Sequence, residues 1–512
     1  MKALFRVDAS PHIGIGHLMR CLTLAGQLRR NGWTVALVAR ELPGELSDSV
    51  MRQYGLDVLQ LPTCSMGGRL GPLTHSHWLG ESERVDAEQT LAVLRSHGES
   101  IDLMVVDHYG IGTDWEQMIR PEVGRMLVLD DLADRRHECD ILLDQNFFPE
   151  MEQRYEALVP PGCRLLVGPH YALLREEFQS ARATSQRMRS RTGDIRRVLV
   201  SFGGTDASGE TAKTLEALKR LGDPFEVEVV IGPTNSAGVD IRALAEGRPG
   251  VTCHTGVRTM AELMARSDLL VGAGGTTIWE ACCVGVPAMV TAIVANQHES
   301  CRALAEHGYV VYLGETEKVG VDRIRTALAH LVENPWLVRH LGSASSRLTD
   351  GLGVSRVIRA LNEGPVTLRR ARADDCRDLH EWRNAPENRR HAFDSAPIAY
   401  DVHVRWFEDS LRRPDRVLLI GEADGASRGV LRYDLAGTRA TVSIYLVPGN
   451  HGQGWGARLL RAGTDWLRTH LHEVRVVEAQ VMPENAASRE AFRRAGYLES
   501  HSVFECSLEE EE

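Results

Sequence analysis

The sequence predicts two successive α/β lobes with parallel sheets, followed by a smaller α+β domain. In the first two-thirds of the chain, short apolar runs alternate with segments of helical spacing, which is typical of βαβ units. A basic, serine-rich stretch at Gln179–Gly193 interrupts this alternation before it resumes. A Gly-Pro pair at residues 364–365 then ends a helix, and the strands beyond it have an antiparallel pattern. The predicted domains span residues 1–178, 194–345 and 365–506.

The apolar runs give the predicted strands in order. The first lobe contains KALFRVD, TVALVAR, DLMVVDHY, RMLVLDD and CDILLDQN, and the second contains RRVLVSFGG, FEVEVVIG, GVTCHTG, SDLLVGAGG and VPAMVTAI. Residues Ile15–Asn31 and Glu83–Gly98 have the spacing of helices between strands. Gly-rich loops follow several strands, and ligands of such sheets bind beyond the carboxyl ends of the strands. The sequence therefore predicts a ligand cleft between the two lobes.

Composition argues against several classes of protein. A chain of 512 residues with 43% hydrophobic and 25% charged residues is typical of about three globular domains. The formal net charge of −11 argues against a nucleic-acid partner. No run of about 18 apolar residues predicts a membrane span. Arg6 and Asp8 interrupt the first apolar run too early for a signal peptide, so we expect a cytoplasmic protein.

The cysteines carry no recognisable pattern. Ten cysteines are scattered along the chain, and none belongs to a C-x-x-C pair. This distribution favours reduced thiols over disulfides or a structural zinc site.

The first candidate site is the glycine turn DASPHIGIGHLMRC. A dinucleotide fingerprint would need a third glycine where Met19 stands, and an acidic residue where the next strand ends in Arg40. That interpretation is therefore excluded. Gly14 and Gly16 still allow a sharp turn and a close backbone approach, and the helix start behind them favours an anion such as pyrophosphate. His17 is either a general base at this helix start or a residue that caps and packs.

A second glycine loop, VGAGGTTIWEACC, follows a strand of the second lobe and opens a helix. Gly274 and Gly275 permit close backbone approach, and the hydroxyls of Thr276 and Thr277 can donate to phosphate oxygens. Glu280 has two interpretations: it accepts from ribose hydroxyls, or it closes a capping box back to the helix start.

Other motifs are weaker. The loop SFGGTDASG, with Gly203 and Gly204, is either a phosphate loop or a plain turn. The segment HSHWLG at residues 75–80 has a His-x-His pair without a third ligand, so it is interpreted as a loop lining the cleft rather than a metal site. Asp107, Asp130 and Asp144 end strands, where carboxylates usually cap the next turn.

Motifs along the first 340 residues together resemble the hydrolase family of pseudaminic acid biosynthesis, whose members remove UDP from UDP-2,4-diacetamido-2,4,6-trideoxy-β-L-altrose. The resemblance implies the two-lobed architecture of nucleotide-sugar glycosyltransferases (glycosyltransferase-B-like, with two Rossmann-like domains). It also implies that His17 is the base, acting on water, with Tyr109 and Asn296 near the ligand. The motifs are RVDASPHIGIGHLMRCLTLA, VVDHYGI (105–111), LDDLADRRHECDILLDQN (129–146), VSFGGTD (200–206), AGGTTIWEACCVGVPAMV (273–290) and ANQ (295–297).

The predicted hydrolase site thus has one catalytic residue, His17, and a set of residues that bind the UDP-linked diamino sugar. No metal is expected. The substrate-binding set is Gly14, Gly16, Arg20, Tyr109, Gly274, Gly275, Thr276, Thr277, Glu280, Asn296 and Gln297.

The C-terminal domain contains a third glycine loop, VPGNHGQGWGARLL, between a strand and a helix. Successive backbone amides at such a helix start point at an anion. Together with LHEWRNAPENRRHAF and VMPENAASREAFRRAGY, this loop resembles the pyrophosphate arm of the GNAT N-acetyltransferase superfamily, which implies acetyl-CoA as co-substrate. The predicted acetyl-CoA-binding residues are Gly452, Gln453, Gly454, Trp455, Gly456, Ala457 and Asn485.

Two positions depart from the GNAT pattern. His451 stands where the superfamily usually has Arg or Gln, and Phe492 stands where many members have a tyrosine that acts as general acid. Tyr445 or a bound water then has to protonate the departing thiolate, or the domain is slow or inactive. Tyr497 lies five residues beyond Phe492, on another face of the predicted helix.

The predicted function is bifunctional: acetyl-CoA-dependent N-acetylation of a UDP-4-amino sugar by the last domain, then hydrolysis at C1 by the two lobes. Two alternatives stay open. The cleft could transfer the sugar to an acceptor as a glycosyltransferase does, or the GNAT half could be a non-catalytic binding module.

Overall fold

The fold was taken from a computed structural model of the 512-residue chain. The described residues include most of the two lobes and of the third domain up to Tyr497. They are 1–10, 12–42, 47–48, 52, 54–63, 71–96, 100–189, 193–222, 225–232, 235, 237–257, 259–362, 366–390, 392, 394–423, 425–471 and 473–497.

The first lobe is built on a seven-stranded parallel sheet. Its central strands are buried on both faces, because helices cover the sheet on either side and the strands are continuous apolar runs. The order across the sheet is β3-β2-β1-β4-β5-β6-β7. The strands are β1 (Lys2–Val7), β2 (Thr34–Ala39), β3 (Asp57–Gln60), β4 (Ile101–Asp107), β5 (Val123–Leu129), β6 (Ile141–Asp144) and β7 (Arg164–Val167).

The order of strands in this lobe reverses between β1 and β4, which are paired neighbours with Val7 opposite Asp107. In open α/β sheets, ligands bind at such a switch point, beyond the carboxyl ends of the strands. The chain leaves β1 there and enters the first helix. The helices of the first lobe are α1 (Gly16–Arg30), α2 (Glu83–Ser96) and α3 (Thr113–Ile119), and α4 (Glu176–Arg189) follows the last strand.

The second lobe has a six-stranded parallel sheet in the order β10-β9-β8-β11-β12-β13, with its switch point between β8 and β11. The glycine loops at residues 203–204 and 274–275 follow these two strands. The strands are β8 (Arg197–Ser201), β9 (Glu226–Ile231), β10 (Val251–Thr255), β11 (Leu269–Ala273), β12 (Ala288–Ala292) and β13 (Val311–Glu315). The helices are α5 (Glu210–Arg220), α6 (Gly238–Ala245), α7 (Met260–Arg266), α8 (Thr277–Val284), α9 (Ala295–Glu306), α10 (Val321–Glu333), α11 (Pro335–Ser345) and α12 (Gly353–Asn362).

The third sheet has five strands in the order β14-β15-β16-β17-β18, antiparallel except for the last pair. One face packs on α16 and α17, and the other packs on α13 and α15, each with its own apolar core. The strands are β14 (Thr367–Arg370), β15 (Arg416–Ala423), β16 (Ala426–Ala436), β17 (Arg439–Leu446) and β18 (Val476–Glu478). The helices are α13 (Cys376–Asn384), α14 (Pro386–Arg389), α15 (Tyr400–Arg412), α16 (Trp455–His470) and α17 (Ala486–Arg494).

By internal contacts the chain forms two compact units, Met1–Arg359 and Ala360–Glu512, so both lobes belong to the first. Every predicted strand of the two lobes is present. Three strands were not predicted, β3, β7 and β13, and each is an edge of its sheet. Each of the three has at most one fully buried residue, so it lacks the continuous buried apolar run of the central strands.

Other expectations have mixed outcomes. The basic stretch after residue 178 is largely helical, since α4 extends to Arg189. Eight cysteines of the described part of the chain are free thiols, while Cys64 and Cys506 lie outside it. The predicted last strand near Cys506 also lies outside the described residues. Within the described chain, no helix combines the length and the apolar character needed to cross a membrane.

Candidate functional site

The glycine turn of the first lobe delivers His17 to the switch point of the sheet. The amide of Gly14 donates to the carbonyl of Ser10 at 2.7 Å, and Gly14 has φ +80, a conformation that favours glycine. This tight turn reverses the chain after β1, so that α1 begins at Gly16 with His17 in its first turn. The amides of the first turn of a helix have no partner within the helix, and they favour an anion.

His17 is held by the carboxylate that ends β4. Its Nδ1 lies 2.6 Å from Oδ1 of Asp107, and its side chain is 11% exposed. When Nδ1 donates to this carboxylate, the lone pair remains on Nε2, which is the arrangement of an oriented general base. Burial alone would raise the pKa of Asp107, but Arg20 and His17 hold it well below its usual range. Asp107 is therefore a permanent negative charge behind the imidazole.

Arg20 braces this pair rather than facing the cleft. Its Nε and one terminal nitrogen donate to the two oxygens of Asp107, both at 2.7 Å. Its other terminal nitrogen pairs with Asp131 at 2.8 Å, and the residue is only 5% exposed. With its donors directed at two carboxylates, Arg20 is better suited to fixing Asp107 than to the substrate contact predicted for it.

Tyr109 connects the two lobes. Its hydroxyl donates to Asp131, and it accepts from Nδ2 of Asn296 at 3.2 Å. Asn296 lies in the first turn of α9, in the second lobe. Asp131 also accepts from Nδ2 of Asn146 at 2.6 Å. A chain of hydrogen bonds thus links the second lobe, through Tyr109, Asp131 and Arg20, to the carboxylate that holds His17.

Aromatic rings flank the histidine. The ring of Tyr109 meets that of His17 edge-on with 4.6 Å between centroids, and Trp78 meets it edge-on at 6.1 Å. Trp78 and Tyr109 stack on one another at 5.3 Å with 22° between their planes. Trp78 lies in a short 3-10 helix, Ser76–Trp78, so the structure places the HSHWLG segment close to His17. No group of three or more His, Cys, Asp or Glu side chains that could hold a metal ion is found among the described residues.

The second lobe brings its glycine loop against α9. A Cβ on Gly274 would lie 3.2 Å from Cβ of Gln297, and a Cβ on Gly275 would lie 3.3 Å from its Nε2. A Cβ on Gly274 would also clash with Sγ of Cys301, so a larger residue there would force its neighbours to move. Thr276 and Thr277 are half-buried at the start of α8.

Glu280 does not cap this helix. The described residues at the start of α8 show no side-chain capping bond, so the capping-box alternative is not realised. Its side chain is 17% exposed and lies 3.8 Å from the guanidinium of Arg175. Burial raises the pKa of Glu280 to about 7, and Arg175 only partly opposes this effect. The carboxyl group is left available to a ligand.

Several other carboxylates do cap turns. Asp206 accepts from the amides of Glu210 and Thr211 at the start of α5, at 2.9 and 3.1 Å. Asp130 and Asp144 accept from the backbone amides of residues 133 and 146. Asp107 was interpreted in the same way, and that interpretation was wrong, because its oxygens are taken by His17 and Arg20.

Sequence reasoning missed Asp131 and Trp78. Asp130 and Asp131 follow the end of β5 at Leu129. One carboxylate is enough to cap the turn, so the second one was a signal that could have been used. Trp78 is one of nine tryptophans, and only its position beside His17 in space marks it.

In the third domain the glycine loop has the geometry of an anion site. Gly452 and Gly454 have φ +74 and +84, and Gly454 immediately precedes α16. The side chain of Gln453 closes the loop by donating to the carbonyl of Gly449 at 2.8 Å. A Cβ on Gly456 would lie 3.3 Å from Ala491, so this glycine also allows α17 to pack closely.

Two arginines and a paired histidine lie at this loop. The guanidinium groups of Arg428 and Arg458 lie 4.7 and 4.0 Å from the centroid of the Trp455 ring. His451 pairs with Glu387 at 3.0 Å, and its other nitrogen lies 3.0 Å from Oδ1 of Asn388. The histidine at the Arg/Gln position therefore ties the loop to α14.

The sheet opens beside the same loop. β17 pairs with β18 only over Arg439–Thr441, and in the described chain no strand continues this edge over residues 442–446. The carbonyl of Leu446 accepts from Nδ2 of Asn388 at 2.8 Å, and an extended chain can bind beside Val442–Tyr445 in the manner of an added strand.

Around Phe492, where many GNAT proteins have a tyrosine as general acid, the structure places three residues of interest. Asn485 caps α17, because its Oδ1 accepts from the amide of Ser488 at 3.0 Å. Phe492 is buried and packs edge-on against Tyr497, whose hydroxyl bonds to Thr464 at 3.1 Å. Tyr445 lies on the opposite face of the sheet, in the core formed with α13 and α15, and burial raises its pKa well above the usual value.

Comparisons with known proteins agree with this division. Residues 198–339 match the family model of the glycosyltransferase family 28 C-terminal domain, and residues 366–498 match that of the acetyltransferase (GNAT) domain. Among solved structures, the chain resembles MurG of Acinetobacter baumannii with a TM-score of 0.51 and 15% identity, covering 70% of this chain and 99% of that one. The fold is therefore a two-lobed glycosyltransferase-B-like unit followed by a GNAT domain, as predicted.

Two relatives are similar to this chain over more than half of its length. The chain is 27% identical over 311 residues to the UDP-2,4-diacetamido-2,4,6-trideoxy-beta-L-altropyranose hydrolase of Campylobacter jejuni, covering 61% of this chain and 98% of that protein. It is 21% identical over 428 residues to an uncharacterised protein of Methanocaldococcus jannaschii, covering 82% of this chain and 81% of that protein. The second match is longer than the first unit, so it includes part of the GNAT region. The chain is therefore similar to the Campylobacter hydrolase over 61% of its length, and its residues 366–498 match the acetyltransferase (GNAT) domain.

Proposed function

We propose that the first unit hydrolyses a UDP-2,4-diacetamido-2,4,6-trideoxyhexose of the altrose type to UDP and the free sugar, in pseudaminic acid biosynthesis. The observation that carries this proposal is the pair of His17 and Asp107 at the switch point of the first lobe. A base oriented in this way suits the activation of water beside a sugar phosphate. The relationship to the Campylobacter hydrolase supports the same chemistry.

The proposed reaction balances without a further reactant. Nε2 of His17 takes a proton from a water molecule as the water oxygen forms a bond to C1 of the sugar. The bond between C1 and the diphosphate oxygen breaks, and its electron pair leaves with UDP. Asp107 stabilises the imidazolium that forms, because it faces Nδ1 at 2.6 Å as a carboxylate.

Leaving-group departure then depends on neutralising the diphosphate. Backbone amides around Gly274 and Gly275, the hydroxyls of Thr276 and Thr277, and the start of α8 supply donors without a metal ion in this scheme. Glu280 would accept from the ribose hydroxyls. Asn296 and Gln297 would lie on the sugar side of the diphosphate.

We further propose that the GNAT domain N-acetylates the UDP-4-amino sugar that precedes this substrate, with acetyl-CoA. The amine attacks the thioester carbonyl and the C–N bond forms. The C–S bond breaks, the nitrogen loses one proton, and the departing thiolate takes one. The loop from Gly452 to Ala457 would hold the pyrophosphate, and the free edge of β17 would hold the pantetheine chain. Tyr445 is the candidate proton donor, since Phe492 has no proton to give and Tyr497 bonds to Thr464.

Product analysis by NMR in ¹⁸O-labelled water tests the hydrolysis. The diacetamido UDP-sugar is supplied without any acceptor, to the wild type and to His17→Ala. Stoichiometric UDP and a free sugar carrying ¹⁸O at C1 are expected from the wild type. Label in the phosphate, or unchanged UDP release by the variant, would contradict the mechanism.

A glycosyltransferase is the second candidate, because residues 198–339 match a glycosyltransferase family model. A histidine base could deprotonate an acceptor hydroxyl instead of water. This alternative predicts no UDP release without an acceptor, so the same assay separates the two.

The GNAT half could instead be a binding module. Incubation of the full chain with acetyl-CoA and the UDP-4-amino sugar tests this directly. Release of CoA with formation of the N-acetyl product supports an active enzyme. Binding of acetyl-CoA without turnover would favour the module.

A further inference from the structure

We infer that Trp78 is a specificity-determining residue that selects sugars whose amino groups are already acetylated. The inference rests on the proposed hydrolysis at the His17 site. It goes further by assigning the discrimination between acetamido and free amino groups to one indole side chain.

The distances place Trp78 beside the sugar. A general base acts at about 2.6–3.2 Å from the water it deprotonates, and that water attacks C1 at about 3–3.5 Å. A side chain whose ring lies 6.1 Å from the imidazole of His17 is therefore in the range of the sugar substituents. Trp78 is half-buried, so part of its surface remains accessible.

The indole is held in one orientation. Tyr109, itself buried, stacks on one face of Trp78 at 5.3 Å, and His75 packs edge-on at 4.7 Å. Tyr109 in turn is fixed by its hydrogen bonds with Asp131 and Asn296. Tyr109 and His75 hold the indole ring in a defined position beside His17.

The indole N–H of Trp78 is a hydrogen-bond donor. In the part of the chain that the structure describes, the indole N–H of Trp78 has no hydrogen-bond partner. Indole donates and cannot accept, so it is complementary to the carbonyl of an acetamido group. A protonated amine has three donors and no acceptor, and it would leave the indole N–H unpaired.

This chemistry has a consequence for a chain with two activities. A hydrolase that rejects free amines spares the UDP-amino sugar until the acetyltransferase has acted on it. Trp78 would therefore enforce the order of acetylation before hydrolysis by substrate chemistry alone.

Two substrates that differ only at the 4-amino group test the inference. UDP release from the diacetamido sugar and from its 4-amino precursor is measured with the full chain in the absence of acetyl-CoA. We expect the wild type to prefer the acetylated substrate by about 100-fold in kcat/KM. Trp78→Phe, which keeps an aromatic ring and loses the donor, should reduce that preference about 10-fold, mainly through slower turnover of the acetylated substrate.

Two further variants and a binding measurement distinguish the loss of the indole N–H from a damaged fold. Trp78→His restores a ring N–H and should recover part of the preference. Trp336→Phe alters an exposed tryptophan at the start of α11 and should change neither substrate. UDP affinity measured by calorimetry should be equal in the wild type and in Trp78→Phe, which checks that the nucleotide site is intact.

The outcomes separate this inference from the proposed function. If the wild type releases no UDP from either substrate, the proposed hydrolysis fails. If the wild type hydrolyses the acetylated sugar but Trp78→Phe keeps its full preference, only the role of Trp78 fails. If Trp78→Phe loses the same factor of kcat/KM with both substrates, the selective role of Trp78 also fails, because Trp78 would then only help to position His17.

Discussion

Replacing Asp107 with asparagine tests whether the geometry around His17 makes it a base. The side chain keeps its size, but one oxygen becomes an NH2 group. Oδ1 faces Nδ1 of His17 and a terminal nitrogen of Arg20, while Oδ2 faces Nε of Arg20 at 2.7 Å. Each position is therefore surrounded by donors, and the amide nitrogen has to face one of them.

The tautomer of His17 determines how much activity the Asp107→Asn variant loses. With the amide nitrogen at the Oδ1 position, Nδ1 of His17 becomes an acceptor and the proton moves to Nε2, where the lone pair was needed. The same substitution in Ser-His-Asp hydrolases lowers kcat by about 10⁴. We expect a loss of about 10³- to 10⁴-fold, equivalent to about 4–5 kcal/mol of activation free energy.

Stability also changes, because Arg20 is buried. Removing one partner of a buried ion pair costs about 3–5 kcal/mol. Asp131 still pairs with Arg20 at 2.8 Å in the variant, so the lower end of that range is expected.

The assay is UDP release from the diacetamido UDP-sugar under saturating substrate, with urea unfolding measured on the same preparations. Asp131→Asn is the matched control. It also removes a carboxylate from Arg20, but it leaves the contact between His17 and Asp107 intact. Its kcat should fall by no more than about 10-fold.

Two results would refute the reasoning. The first is a folded Asp107→Asn protein whose kcat stays within about 10-fold of the wild type. The second is an equal loss of kcat in Asp107→Asn and Asp131→Asn. Activity would then depend on the charge around Arg20 and not on the tautomer of His17.

Three further predictions concern other groups. Burial raises the pKa of Glu280 to about 7, so uridine affinity, measured by calorimetry, should rise from pH 6 to pH 8 as the carboxylate forms; Glu280→Gln should remove this rise. Burial opposes charge on His137, but Glu116 at 2.8 Å and Asp130 raise its pKa to about 9. This group's contribution to the free energy of unfolding, about 3 kcal/mol, should be present below pH 6.5 and lost as the pH rises through 9, and His137→Gln should lack that component in urea titrations. Tyr445→Phe should lower acetyl transfer, followed as CoA release, by about 10²-fold with acetyl-CoA affinity unchanged.

Each of these has a contrary outcome. If uridine binding by Glu280→Gln has the same pH dependence as binding by the wild type, the Glu280 carboxyl group does not contact the ribose. A stability profile of His137→Gln parallel to that of the wild type would mean that the imidazole is not charged by its neighbours. Full acetyl transfer by Tyr445→Phe would leave a bound water as the proton donor.

Most of the fold could be predicted from the sequence, because central strands of parallel sheets are apolar on both faces. β4 and β11 are examples, with almost every residue buried. The edge strands β3, β7 and β13 could not be found in this way, since each has at most one fully buried residue. Glycine loops were located correctly at the ends of β11 and β17, because turns there require residues without a side chain.

The candidate site was only half visible in the sequence. His17, Gly274 and Gly275 stand in local motifs, so a strand–turn–helix pattern was enough to single them out. Asp107 was taken for a cap, although it lies 90 residues from the histidine it contacts. The sequence predicts Arg20 as a substrate ligand, and only the structure shows that its donors are directed at Asp107 and Asp131.

By itself, the sequence determined the class of fold, the three glycine loops and the histidine at the first of them. These features are local, since each depends on residues within a few positions of one another. The tertiary structure alone decided which carboxylate orients His17, that Tyr109 meets Asn296 across the lobes, and that Trp78 lies beside the histidine. These contacts join strand ends and loops that are distant along the chain, and only the packing of parallel strands brings them to one switch point.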